Sequence, residues 1–188
     1  MKPRIKRDLT LRDYIEMERM ELDCYGAEHT TPAAEAMRWA ERIPSGILAA
    51  ADARGIAGFV NLFPVDGRVH ALLRVGQCND RDLSAEELPA APFGDAAALF
   101  LSCILVREDL RGTGLAYALT EAAMRQYDAL SVHTLITDNA TPAGCAFSAR
   151  ICLHPVCKTD YGTVVHEGDY RTAREAVRHL SAQFGELV

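Results

Sequence analysis

The stretch ALFLSCILVREDLRGTGLAYALTEAAMRQ, Ala98 to Gln126, decides how the rest of the chain is read. It opens with an almost unbroken apolar run from Ala98 to Val106. Such a run suits a strand buried on both faces, although periodicity alone leaves a helix open. Arg107-Glu108-Asp109-Leu110 breaks the run, Arg111-Gly112-Thr113-Gly114 follows, and Leu115 to Gln126 is rich in Ala and Leu without Pro or Gly. The order is therefore strand, glycine turn, helix start. At a helix start, backbone N–H groups lack internal partners and the helix dipole adds positive potential. A phosphate is the expected guest.

Two common phosphate loops do not fit. The dinucleotide fingerprint G-x-G-x-x-G lacks its third glycine, because Tyr117 stands there, and no Lys follows the glycines as a P-loop requires. What remains resembles [RQ]-x-x-G-x-[GA], with Arg111, Gly114 and Ala116 at the fixed positions. That is the acyl-CoA pyrophosphate loop of the GNAT family, the GCN5-related N-acetyltransferases. The preceding strand, ending at Val106, also fits the family.

Length and composition bound the answer. The chain has 188 residues, 49% hydrophobic and 24% charged, which fits one soluble domain with a sizeable core. The N-terminus Met1-Lys2-Pro3-Arg4-Ile5 has no apolar signal core and no run is long enough to span a membrane, so a cytoplasmic protein is expected. The six cysteines form no C-x-x-C pair, which argues against a metal cluster and for free thiols in a reducing compartment. A formal charge of −6 argues against nucleic acid as a partner and suits an amine drawn to an acidic cleft.

Outward from the central stretch, the pattern predicts a short strand over Arg4 to Asp8 and a helix from Leu11 to Cys24. Thr10 is its N-cap, and Leu11, Tyr14, Ile15, Met17 and Leu22 form an imperfect apolar stripe. A second helix follows Thr31-Pro32 and carries Trp39, read as a packing residue. Gly46 to Ala51 and Ile56 to Phe63 read as a hairpin about Asp52-Ala53-Arg54-Gly55, with Pro64 interrupting the second strand. The stretch from about 64 to 97 is a long insertion holding a candidate strand at Val69 to Val75. It is read as a substrate-side flap or a subunit contact, with a disordered segment as the alternative, and a homodimer is among the partners expected. Val132 to Thr137 reads as a strand and Ala143 to Ile151 as a helix. Two short strands, Val156 to Thr159 and Thr163 to His166, precede a closing helix over Arg171 to Phe184. The expected fold class is α/β (α+β), one GNAT-like domain with a mixed central sheet of about six to seven strands flanked by helices.

The resemblance implies acetyl-CoA, or another acyl-CoA, as co-substrate, no metal, and a small-molecule or peptide amine as acceptor. By position, the backbone of Ile104, Leu105 and Val106 would hold the pantetheine arm. Amides of Gly112, Thr113, Gly114, Leu115, Ala116 and Tyr117 would hold the pyrophosphate, aided by Arg111, with Asn139 touching the arm. The family's usual tyrosine acid is replaced by Ser148, and Cys152-Leu153 stands where Gly-Phe is usual. The leaving thiolate's proton then falls to Ser148, Tyr161 or water. Glu108, Asp95 and His70 are candidate bases by chain proximity, and Ser102 and Cys103 read as buried packing rather than a nucleophile. Two functions remain: an N-acetyltransferase using direct transfer, and a GNAT-like CoA-binding sensor or partner protein with weak or no turnover.

Overall fold

A computed structural model describes residues 2–89, 93–94 and 96–185. The chain begins with β1 (Arg4–Lys6), α1 (Leu11–Tyr25) and α2 (Ala33–Arg42), then the hairpin β2 (Ile47–Asp52) and β3 (Gly55–Val65). A helix α3 (Gly67–Arg74) and an irregular stretch lead to β4 (Ala98–Val106) and α4 (Leu115–Met124). The remainder is β5 (Thr134–Asn139), α5 (Pro142–Arg150), β6 (His154–Lys158), β7 (Val164–Asp169) and α6 (Tyr170–Ser181). One seven-stranded sheet runs β1-β2-β3-β4-β5-β7-β6, with β4 and β5 parallel and every other pair antiparallel. The mixed sheet flanked by helices is the one the element order predicts.

The two faces of β4 explain its apolar run. Phe100, Cys103 and Leu105 join a core with α1, α2 and α3, whereas Leu99 and Leu101 join one with α4 and α6. A strand covered on both faces reads as continuous hydrophobicity rather than alternation.

Three local expectations are corrected. Val69 to Val75 lies within and just after helix α3, not in a strand. The Asp66 carboxylate accepts the Val69 N–H at 2.8 Å as an N-cap, and Val69 and Leu73, one turn apart, are the buried residues. Pro64 does not interrupt β3. Leu62 N–H turns toward Gly46 O on the β2 side, so by alternation Pro64 also faces that side, beyond the last β2 pair, Ile47 with Asn61. No donor is required there. The apolar stripe of α1 also has another phase, since Leu11, Ile15 and Leu22 are exposed while Asp13, Tyr14, Met17 and Glu21 are buried. Buried Asp13 is satisfied by Lys6 and Thr10, and Glu21 by the Thr31 N–H at 2.7 Å.

Trp39 is a packing residue as read: 1% exposed, edge-on to Phe63 and donating Nε1–H to Leu83 O at 3.1 Å. That bond, with Leu83 and Leu88 buried in the same core, ties the insertion to α2 and the sheet. No helix of the described residues is long and apolar enough to cross a membrane.

Candidate active site

β4 and β5 pair only from Ala98 with Thr134 to Leu101 with Thr137. Beyond that point β4 stays with β3 while β5 stays with β7 through Asn139, so the sheet splits. The split opens into a cavity of about 1140 Å³ walled by β4, the Arg111–Tyr117 turn, the end of β5, α5 and the tip of α1.

Hydrogen-bond alternation says which groups of β4 face the opening. Arg107 N–H bonds Ala57 O, and the register continues as Phe59 with Leu105 and Asn61 with Cys103. Residues 103 and 105 therefore turn their N–H and C=O to β3, and Ile104 and Val106 present theirs to the cavity. Of the three residues expected to offer main-chain groups to the cavity, Ile104 and Val106 do so, while the groups of Leu105 belong to the sheet. The register shifts between Asn61 and Leu62, where Ser102 has no partner on β3, and such a bulge re-aims the strand at the split.

The glycine turn is open. Gly112 (φ +77°) and Gly114 (φ +91°) occupy the left-handed region, and Arg111, Gly112 and Thr113 are exposed. Among the described residues, no acceptor takes the N–H of Gly112, Gly114, Leu115, Ala116 or Tyr117, whereas the Thr113 N–H reaches back to Leu110 O. Other helices differ. First-turn N–H groups of α2, α3, α5 and α6 go to Glu18, Asp66, Thr141 and Asp169 side chains. The N-cap of α4 is Gly114, which has no side chain to give. Its bare amides and the dipole behind them make an anion seat. Arg111 and Arg150 line the same cavity, and neither forms an ion pair among the described residues. Tyr117 and Phe147 stack at 5.0 Å, joining α4 to α5 along the wall.

Other expected site residues fall elsewhere. The Ser148 hydroxyl is fully buried, donates to Asn139 Oδ1 at 3.2 Å and is not in the cavity wall. Asn139 does line the cavity, but its amide nitrogen meets His166 Nδ1 at 3.0 Å, so its side chain serves an internal network. Tyr161 sits on the β6–β7 turn, 49% exposed and away from the wall. Glu108 and His70 are also outside the cavity, the latter 3.4 Å from Glu167, and Asp95 lies outside the described residues.

Three other carboxylates gather at the split: Glu21 of α1, Asp80 of the insertion and Asp138 of β5 all line the cavity. Burial pushes Glu21 up to about 7 against the pull of the Thr31 amide, with the charge of Asp80 adding to the rise. Burial and the charge of Asp138 push Asp80 up to about 7. Burial also raises Asp138, against the Thr163 hydroxyl and the nearby His29 and His166. The Cys103 thiol is raised by burial and by Glu21, so it stays protonated and is no nucleophile. Sequence reading missed these carboxylates because Glu21 looks like the polar face of an amphipathic helix and Asp80 sits in an irregular polar run. The available signal was the dipeptide Asp138-Asn139 at a strand end.

A comparison with curated proteins finds no match. Among solved structures, the loading GNATL domain of CurA from Lyngbya majuscula superposes with TM-score 0.69 at 14% identity, covering 95% of this chain and 100% of that one. A phosphinothricin acetyltransferase from Sinorhizobium meliloti in complex with AcCoA gives 0.56 at 15% identity, covering 90% and 89%. The GphF GNAT-like decarboxylase in complex with isobutyryl-CoA gives 0.62 at 16% identity, covering 88% and 98%. These likenesses are of fold. The family model described as "Acetyltransferase (GNAT) family" matches residues 14–152, a span holding the split strands, the glycine turn and all three carboxylates, and the chain belongs to that family.

Proposed function

We propose that the protein is an acyl-CoA-dependent N-acyltransferase that moves an acetyl group from acetyl-CoA directly to the amine of a small molecule or peptide. The observation that carries this reading is the cavity's polarity. One end offers bare amides with Arg111 and Arg150, and the other gathers Glu21, Asp80 and Asp138. Coenzyme A has anionic phosphates at one end and an acyl thioester at the other, and an amine acceptor arrives as a cation. The diphosphate would bind the α4 start. The pantetheine arm would run along Ile104 and Val106 as an added strand. The thioester would then lie at the Ser102 bulge beside the carboxylates. Asp80, pushed up to about 7, is matched to take a proton from the incoming ammonium and release the neutral amine that attacks, with Glu21 able to share that proton. The C–N bond forms, the C–S bond breaks, and the second proton shed by the nitrogen passes through cavity water to the thiolate.

The same acidic lining disfavours a carboxylated acyl group, which would meet like charge. A second reading, a CoA binder without turnover, is favoured by the positions of Ser148 and Tyr161, since neither reaches the cavity to protonate the thiolate.

Thermal unfolding with acetyl-CoA, ATP and NAD, followed by thiol release over an amine panel, tests both readings. At a hundredfold excess over Kd, acetyl-CoA should add about 2.7 kcal/mol, a rise of roughly 5–10 °C for a domain of this size, and ATP and NAD should add much less. Stabilisation by acetyl-CoA with no amine-dependent thiol release would establish the second reading, and no stabilisation would remove both.

A further inference from the structure

Tyr25, on the last turn of α1 and in the cavity wall, donates its hydroxyl to Ile104 O at 3.0 Å. Ile104 is one of the two β4 residues whose main-chain groups face the opening. The other carbonyl, Val106 O, accepts from Arg111 Nε at 3.4 Å. Both main-chain oxygens suited to the pantetheine amides are therefore engaged by side chains. A shielded carbonyl needs a donor, and these side chains supply it.

The direction of the chain decides what happens when acyl-CoA enters. The anion seat at Gly112–Tyr117 follows the end of β4, so an arm leaving it passes Val106 first and Ile104 second. The amide reaching Ile104 is then the one nearer the sulfur, two methylenes away from it. Its thioester would lie toward Cys103 and the Ser102 bulge, in the part of the cavity wall that Tyr25 and Cys103 share. Tyr25 and Ile104 both line the cavity, so amide and phenol meet at the same oxygen.

We infer that Tyr25 is a placeholder: acyl-CoA displaces its hydroxyl from the Ile104 carbonyl, and the freed hydroxyl donates to the thioester oxygen, stabilising the oxyanion as the amine attacks. The inference rests on the acyl-CoA reading of the cavity. It makes Tyr25 a catalytic residue drawn from α1, on the opposite side of the cleft from Ser148. Tyr25 transfers no proton in this role. Burial, with the nearby Cys103, raises its phenol far above the ordinary range, which keeps it a neutral donor. Gly26 (φ +79°) ends α1 at the next residue.

The test is Tyr25→Phe, which keeps the ring and removes only the hydroxyl. Three quantities are measured: acetyl-CoA affinity by calorimetry, affinity for adenosine 3′-phosphate 5′-diphosphate, and thiol release with the best amine. The nucleotide lacks the pantetheine arm and should bind variant and wild type equally, which also shows that the variant is folded. Acetyl-CoA should bind the variant about 2- to 12-fold more tightly, since no hydroxyl has to be displaced. Thiol release should fall by about 10²–10³-fold. A merely structural tyrosine would not give tighter binding with slower turnover. Unchanged or weaker acetyl-CoA binding beside normal nucleotide binding overturns the placeholder. Unchanged thiol release overturns the catalytic role. Failure of the wild-type protein to bind acetyl-CoA removes the underlying reading instead.

Discussion

Asp80 and Glu21 show how a few buried oxygens link stability to catalysis. Burial pushes both carboxyls up to about 7 from ordinary values of 3.8 and 4.5. Between those limits the folded protein holds protons that the unfolded chain has released, so its stability falls as pH rises from about 4 to about 7. On the proposed reading activity runs the other way, because the deprotonated form would be the base. We expect kcat/KM to climb through an apparent pKa near 7 that belongs to the pair rather than to either residue. Asp80→Asn should lower kcat/KM by about 10²-fold or more and shift or abolish that limb. It should also flatten the stability profile in chemical denaturation between pH 4.5 and 7.5. A variant with wild-type rates and an unmoved pH limb would return the base to another group. Nothing in the local pattern around residues 21 and 80 hints at these pKa values. They arise from burial at the split and from the charges of residues 21, 80 and 138, which are far apart along the chain.

At the scale of elements, the decisive one is the start of α4, and here the sequence was legible. A continuous apolar run, two glycines and an alanine-rich segment describe β4, its turn and α4 without knowledge of anything else. Where reading failed, long-range contacts had overridden local pattern. β-branched Val69 and Val75 suggested a strand, yet Asp66 caps a helix there. Leu11, Ile15 and Leu22 suggested the buried face of α1, yet the sheet takes the Asp13 and Glu21 side, because Lys6, Thr10 and Thr31 satisfy those carboxylates. The α4 start yields a prediction that separates folding from binding. Ala116 sits in the first turn of α4, half-buried in the cavity wall. An acidic residue in a first turn favours the helix by about 0.3–1 kcal/mol, but it occupies the seat assigned to the diphosphate with like charge. Ala116→Asp should therefore keep or raise the unfolding temperature without ligand while weakening acetyl-CoA binding by about tenfold or more. Undiminished affinity in calorimetry would show that the anion seat lies elsewhere.

On the whole molecule, the site is assembled from every part of the chain, and that is why its catalytic half was hidden. The family match ends at residue 152, but the cavity wall continues with Leu180 and Gln183 after α6 has packed along α4. Ala173 and Val177 of α6 are fully buried with Leu119 and Ala123, and the Tyr170 hydroxyl caps Met124 O at 3.1 Å. Phe184 then reaches the glycine turn: a Cβ on Gly114 would lie 3.3 Å from that of Phe184, and Lys2 Nζ stands 4.8 Å over its ring. The anion seat is thus braced from behind by a segment that the loop motif does not contain. Truncating this half-buried ring should cost about 1–2 kcal/mol, below the range for a fully buried phenylalanine. The ring packs on the core between α4 and α6 and so anchors the Phe184 Cβ, N and Cα that lie nearest Gly114, and the loss should appear in the ligand as well as in the fold. We expect Phe184→Ala to lower the unfolding temperature by a few degrees and to weaken acetyl-CoA and adenosine 3′-phosphate 5′-diphosphate about equally, by roughly three- to tenfold, since both use the same amides. Phe184→Leu, which keeps most of the contact, should recover most of both. Equal stability loss with unaltered affinity for either ligand would mean that the turn holds its shape alone, through the two left-handed glycines, and that the C-terminal segment only covers α4.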